Sequence, residues 1–169
     1  KLFRDFNPAE RIYNADDDMV SQHADVWSAG GIGISASSRS CDVFLGVRQT
    51  SPLVVAVSTP WGDGELKSTL SGRFNAFNLG AALTATLASG VPLSDALSAA
   101  AATVPVAGRL QTVDDTSDIT VIIDYAHTPD ALAGALSAIA ESDRSGELWV
   151  LFGCGGDRDR GKRAEMGEV

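Results

Sequence analysis

The first part of the chain carries a strand-like pattern. Branched and polar residues alternate in three short runs, 42–49, 53–59 and 65–71, which predicts β-strands. Trp61-Gly62-Asp63-Gly64 separates the last two runs. Its Asp-Gly pair predicts a tight hairpin turn, because glycine adopts positive φ without strain.

The period changes to a helical one after Phe74. Leu79, Leu83 and Leu87 recur at helical spacing within 75–89, and Gly90 and Pro92 end this pattern. A second alanine-rich helix is predicted at 94–102. The segment 103–108, Thr-Val-Pro-Val-Ala-Gly, breaks the periodicity, and we interpret it as a junction between two domains.

Beyond the junction, the pattern predicts strand, helix and strand. An apolar run at 119–124 ends in Asp124, and a second run covers 148–152. Between them, Thr128-Pro129-Asp130 combines an N-cap hydroxyl, a proline at the first helical position and an early acid, which predicts a helix. The segment is therefore expected to be a right-handed βαβ unit of an α/β fold. Asp124 and the loop after Phe152 would both lie at the ligand-binding edge of its sheet.

Composition and charge narrow the function classes. The chain has 169 residues, 44% of them hydrophobic and 21% charged, with a net charge of −9, so it is expected to fold and to repel a nucleic-acid backbone. It contains neither a membrane-length apolar run nor a cleavable leader pattern, which favours a cytoplasmic protein with no membrane partner. Cys41 and Cys154 fit no disulfide or zinc pattern. The acidic run 16–18 is interpreted as a solvated loop without chemistry.

The glycine-rich loop 153–163 carries the densest charge. From Gly156 it reads G-x-x-x-x-G-K, but Arg163 replaces the Ser or Thr of a phosphate-binding P-loop, and the four positions between the glycines are Asp, Arg, Asp and Arg, whose carboxylates would face the phosphate. Three interpretations remain open. They are a P-loop that uses Lys162, a basic loop in which Arg158 and Lys162 bind a carboxylate or phosphate, and a self-neutralising surface loop.

Five further polar side chains are candidates for ligand binding. Asn75 and Asn78 lie three residues apart at a helix start, so their amides either bind a nucleobase or cap the helix. Asp124 suits a ribose hydroxyl or caps the following turn. His127 is either a structural histidine or a general base. Arg109 is either an ordinary exposed arginine or a phosphate ligand at the domain boundary.

These segments, taken in order, resemble one family, the Mur ligases of peptidoglycan synthesis. The resemblance is closest to the branch that adds the third residue of the stem peptide. Six matching stretches cover almost the whole chain: Tyr13-Asn14-Ala15-Asp16-Asp17, Trp61-Gly62-Asp63-Gly64, Phe74-Asn75-x-x-Asn78, Pro105-Val106-x-Gly108-Arg109, the stretch from Val121 to Asp130, and the loop from Phe152 to Arg163.

The resemblance implies a fold and a reaction. Residues 1–107 would be the back part of a central ATPase domain, and residues 108–169 the start of a Rossmann-like C-terminal domain. The parent enzyme would use ATP and Mg²⁺ to join a third amino acid to UDP-MurNAc-L-Ala-D-Glu through an acyl phosphate. The Gly-Gly-Asp-Arg-Asp form of the loop favours meso-diaminopimelate, with lysine as the alternative. We expect the parent to be a monomer.

The resemblance also implies roles for single residues. Asn75 and Asn78 would contact the adenine side of ATP, and Arg109, Asp124 and His127 would belong to the nucleotide site from the second domain. Arg158 and Lys162 would bind the incoming amino acid. The family's P-loop, carbamylated lysine and magnesium ligands have no counterpart in this sequence, so we expect a fragment that is inactive alone. Two other classes stay open: a phosphotransferase that uses Lys162, and a non-catalytic binding module.

Overall fold

The computed structural model describes residues 10–23, 30–113, 118–141, 146–155, 159 and 161–169. It divides into two compact units, Lys1–Thr103 and Val104–Val169. Helices and strands occur in both units, which confirms the predicted α/β class. In the part of the chain that the structure describes, no helix is both long enough and apolar enough to cross a bilayer.

The first unit is built on a five-stranded mixed sheet in the order β1-β2-β3-β4-β5. β1, β2 and β3 pair in parallel, and β3, β4 and β5 pair antiparallel. A short helix α1 (Asp18–Ser21) follows β1. The strands are β1 (Ile12–Asn14), β2 (Ile32–Ser35), β3 (Val43–Thr50), β4 (Leu53–Thr59) and β5 (Gly62–Ser68). The three predicted runs thus correspond to β3, β4 and β5.

Two helices, α2 (Arg73–Ala88) and α3 (Leu93–Ala101), pack on this sheet. Leu79, Leu83 and Leu87 of α2 are all buried, as their spacing predicts. They meet the apolar side chains of the central strands, among which Leu45 and Val55 are fully buried. Removal of this surface from water supplies the main driving force for folding of the unit.

The hairpin between β4 and β5 differs from the prediction. The turn is Pro60-Trp61, because Thr59 pairs directly with Gly62, and Asp63-Gly64 lies within β5. Proline provides the fixed φ that a turn position favours. Gly64 has a packing role instead: a Cβ there would lie 2.6 Å from Leu97 Cδ1 of α3.

The second unit contains a two-stranded antiparallel sheet and two helices. β6 (Gln111–Val113) pairs with β7 (Val121–Ile123), and α4 (Pro129–Ala140) and α5 (Lys162–Glu168) follow. Thr128 caps α4 as predicted, with its Oγ1 accepting a hydrogen bond from the Ala131 amide at 3.3 Å. α4 contacts α5, in which Met166 is buried.

The predicted parallel βαβ unit is not formed. β7 pairs antiparallel with β6, a strand that the pattern did not predict, and within 146–155 no residue is in a strand. Trp149 and Leu151 are 85% and 100% exposed, and the segment borders a groove of about 970 Å³ that α4 also lines. A buried parallel strand needs paired neighbours and cover on both faces, and the described part of this unit provides neither for 148–152.

Candidate functional site

The two asparagines predicted to act together lie at the start of α2. Asn75 Nδ2 donates to the Ser71 carbonyl oxygen at 2.8 Å, and Asn78 Nδ2 donates to Asn75 Oδ1 at 3.3 Å. The helix is capped by Gly72, whose φ is 92° and which has no side chain to cap with, so the capping interpretation of the asparagines is wrong. Asn78 is exposed. The oxygen and the second N–H of its side-chain amide are therefore accessible as an acceptor and a donor for a flat polar ligand.

Arg109 lies in a tight turn before β6. Its amide donates to the Val106 carbonyl oxygen at 3.0 Å, and the Gly108 amide donates to Gln111 Oε1 at 2.8 Å. The Arg109 guanidinium carbon lies 5.1 Å from the centre of the Tyr125 ring, within cation–π range. The Arg109 side chain is therefore exposed, and its contact with the Tyr125 ring sets its direction.

Asp124 follows β7 directly and accepts two backbone hydrogen bonds. Its Oδ2 accepts from the Leu110 amide and its Oδ1 from the Ala126 amide, each at 2.8 Å. The turn-capping interpretation is therefore confirmed. A carboxylate oxygen can accept more than one hydrogen bond, so each oxygen of Asp124 has capacity for a further donor. Contact with ribose hydroxyls therefore stays a prediction that this geometry permits.

His127 is held next to the same tyrosine. Its Nδ1 lies 3.1 Å from the Tyr125 carbonyl oxygen, a contact that requires a proton on Nδ1, so that Nε2 is the acceptor in the neutral form of the ring. The His127 and Tyr125 ring centres are 5.3 Å apart at an angle of 58°. Lys162, at the start of α5, donates from Nζ to the His127 carbonyl oxygen at 3.3 Å. An ammonium has three donors, so this contact leaves Lys162 able to bind an anion.

The second unit thus brings Arg109, Asp124, His127 and Lys162 into one cluster, with Tyr125 at its centre. The two cations, Arg109 and Lys162, make this cluster suited to an anionic ligand. The sequence pattern indicated the four polar residues but no role for Tyr125. Its position between an acid and a histidine in a strand-to-helix turn was the available signal.

Two predicted features of the loop 153–163 lie outside the described residues. Arg158 lies outside the described residues, as does most of the charged stretch of the loop at 156–160. In the ranges that the structure describes, no group of three or more His, Cys, Asp or Glu residues is placed to hold a metal ion.

Asp16 has a structural role that the interpretation of 16–18 as a solvated loop missed. Its Oδ1 accepts from the Ser35 and Ser37 hydroxyls, each at 2.5 Å, and its Oδ2 accepts from the Ala36 amide at 2.7 Å. Burial raises the pKa of Asp16, but these hydrogen bonds lower it by more, so its net pKa lies below the usual value. No local pattern indicates this role of Asp16, because β1–β2 pairing brings together residues about twenty positions apart.

Comparison with known proteins agrees with this fold. Residues 108–169 match the family described as the Mur ligase glutamate ligase domain. A UDP-N-acetylmuramoyl-L-alanyl-D-glutamate–2,6-diaminopimelate ligase from Haemophilus influenzae strain PittEE is 38% identical over an alignment that takes in 100% of this chain and 36% of that protein. The chain therefore spans about a third of the length of the curated relatives it matches.

Solved structures give the same result. A structure that carries the same ligase name aligns with 94% of this chain and 34% of its own, at a TM-score of 0.63 and 31% identity. MurF from Acinetobacter baumannii aligns with 79% of this chain and 30% of its own, at a TM-score of 0.70 and 21% identity, which shows a shared fold. The matched domain, the identity along the whole chain and the shared fold together show that the chain belongs to the Mur ligase family.

Proposed function

We propose that this chain is part of an ADP-forming ligase that adds meso-diaminopimelate to UDP-MurNAc-L-Ala-D-Glu in the cytoplasm. The observation that carries the proposal is its 38% identity, along its entire length, to a relative named for that reaction. Residues 1–107 would belong to the central ATP-binding domain and residues 108–169 to the amino-acid-binding domain. The lysine-adding alternative has no comparable support among the named relatives.

The reaction would proceed through an acyl phosphate. ATP phosphorylates the γ-carboxylate of the D-glutamyl residue and leaves as ADP. The amine of diaminopimelate then attacks the acyl carbon, and the tetrahedral intermediate expels phosphate as the new amide forms. Much of the acceleration would come from holding the three reactants together and from offsetting the transferred charge.

The described side chains fit this scheme. Asn75 and Asn78 form a paired amide edge suited to adenine. Arg109 offers a guanidinium to a phosphate, and Asp124 has acceptor capacity left for ribose hydroxyls. His127 offers Nε2 as an acceptor in the same turn. Lys162, together with Arg158, would bind a carboxylate of the amino acid.

Arg109→Ala in the full-length ligase tests the nucleotide site. Loss of a charge-assisted hydrogen bond to phosphate is expected to raise the KM for ATP about 10- to 100-fold. Arg48→Ala is the matched control, since Arg48 lies on β3 and pairs with Glu65 at 2.9 Å on an exposed surface. An equal effect of the two substitutions would contradict the assignment of Arg109.

Arg158→Ala tests the amino-acid site independently. We expect a large rise in the KM for meso-diaminopimelate with little change in the KM for ATP. Steady-state assays with meso-diaminopimelate and with lysine as competing substrates identify the third amino acid. An unchanged KM for meso-diaminopimelate in Arg158→Ala would favour the alternative in which this chain is a non-catalytic binding module of the longer protein.

A further inference from the structure

The turn that carries Arg109 has an unusual backbone. Leu110 has a φ of 43°, and in the described part of the chain it is the one residue other than glycine with positive φ. This left-handed conformation is uncommon for residues with a Cβ, because the side chain approaches the backbone closely. Within the turn, the Gln111 side chain bonds the Gly108 amide at 2.8 Å, and a further interaction from outside the turn holds Leu110 itself.

That interaction is the bond from the Leu110 amide to Asp124 Oδ2 at 2.8 Å. Antiparallel pairing of Gln111 with Ile123 places the two residues opposite each other, directly beyond the ends of β6 and β7. The other oxygen of the same carboxylate accepts from the Ala126 amide at 2.8 Å. One side chain thus joins the turn before β6 to the turn after β7.

These two turns carry the two groups of the cation–π contact. Arg109 directly precedes Leu110, and Tyr125 lies between Asp124 and Ala126. The carboxylate bridge therefore fixes the backbone on both sides of the 5.1 Å contact between the Arg109 guanidinium and the Tyr125 ring. Without the bridge, Leu110 would relax toward negative φ and turn the peptide that follows Arg109.

We propose that Asp124 is a positioning residue for Arg109, which it holds over Tyr125 by fixing Leu110 in the left-handed conformation. This role is separate from any direct contact between Asp124 and a ribose. The kinetic part of the proposal rests on the proposed function, in which Arg109 meets the phosphate of ATP. The structural part concerns this chain alone.

Hydrogen exchange on the chain tests the structural part. Asp124→Ala removes both acceptors, so exchange at the Leu110 and Ala126 amides is expected to accelerate at least tenfold. Asp118→Ala, at an exposed position in the same unit, is the matched control and should leave both amides unchanged. Unaltered exchange at Leu110 in Asp124→Ala would overturn the proposal, whatever the enzyme kinetics show.

Rescue in the full-length ligase tests the kinetic part. Asp124→Asn is expected to raise the KM for ATP about tenfold. Adding Leu110→Gly should restore it to within about threefold, because glycine adopts positive φ without a side-chain penalty. Leu110→Ala removes the same side chain beyond Cβ but keeps the penalty, so it should give no rescue.

A double-mutant cycle separates positioning from direct ribose contact. If Asp124 acts through Arg109, Asp124→Asn should raise the KM for ATP by a smaller factor in an Arg109→Ala background than in the wild type, and the effect that remains there measures direct ribose contact. The positioning role would be overturned if the effects of Asp124→Asn and Arg109→Ala on the KM for ATP simply multiply. It would also be overturned if Leu110→Gly and Leu110→Ala rescue Asp124→Asn equally. An Arg109→Ala variant with an unchanged KM would instead count against the proposed function, and the exchange measurement would still decide the bridge.

Discussion

Replacement of Asp16 by Asn tests how the segment after β2 is held in place. The carboxylate accepts three hydrogen bonds, from Ser35, Ser37 and Ala36. An isosteric amide keeps one acceptor oxygen and places an NH₂ donor where the other oxygen stood. If the remaining oxygen faces the Ala36 amide, the NH₂ group faces the two hydroxyls.

Ser35 cannot adapt easily to that change. It is fully buried, and its hydroxyl oxygen already accepts from the Ser37 and Ser38 amides at 3.0 and 2.7 Å. It has no lone pair left for a new donor, and its own proton exchanges the carboxylate for the more distant Ser37 hydroxyl, at 3.3 Å. Hydrogen bonds to a charged group contribute about 1.5–3 kcal/mol, and an unsatisfied buried donor costs about as much. We therefore expect Asp16→Asn to lower the free energy of unfolding of the first unit by about 2–3 kcal/mol.

Urea unfolding followed by hydrogen exchange of peptides from 10–103 measures this difference. The pKa of Asp16 is lowered in the folded state, so its charged form stabilises the fold above the unfolded-state pKa of about 3.9. That contribution is lost as the pH falls through the folded-state pKa. The difference between wild type and Asp16→Asn should thus be complete at pH 7 and shrink below about pH 4.

Asp18→Asn provides the matched control, because it removes the same charge from the first residue of α1, where Asp18 is exposed. It should change the free energy of unfolding by less than about 0.5 kcal/mol. A loss in Asp16→Asn no larger than in Asp18→Asn would refute the reasoning, as would a difference that stays constant from pH 7 to pH 3.

Further stability measurements test packing and capping. Gly80→Ala should lower the free energy of unfolding by about 1–3 kcal/mol, since a Cβ there would lie 2.5 Å from Leu45 Cδ1 in the core. Gly134→Ala, also within a helix but with nothing within 4 Å of the new Cβ, should raise it by about 0.5–1 kcal/mol. Thermal melts that rank these two alike would contradict the packing described for α2. Thr128→Ala should lower the free energy of unfolding by about 1 kcal/mol, because it removes the acceptor for the Ala131 amide. If hydrogen exchange at the Ala131 amide stays as slow in the variant as in the wild type, the cap is contradicted.

Local patterns determined most of the elements. Alternation located β3 and β4, and leucine spacing located α2, because these patterns reflect which side of one element faces apolar neighbours. The cap of α4 at Thr128 was predictable for the same reason, since a cap involves residues within one turn. The family resemblance was likewise a property of ordered local segments, and comparison confirmed it.

Pairing between distant segments was decided only by the tertiary structure. The apolar run 148–152 has the composition of a buried strand, but a strand forms only where hydrogen-bonding partners and covering side chains meet it. Asp16 appeared as one of three equivalent acids until β1–β2 pairing placed it against Ser35. The Asp124 bridge to Leu110 depends on the register of β6 against β7. Sequence therefore determined which chemical groups are present and which short segments hold them, whereas the contacts that direct those groups arise between residues far apart in the chain.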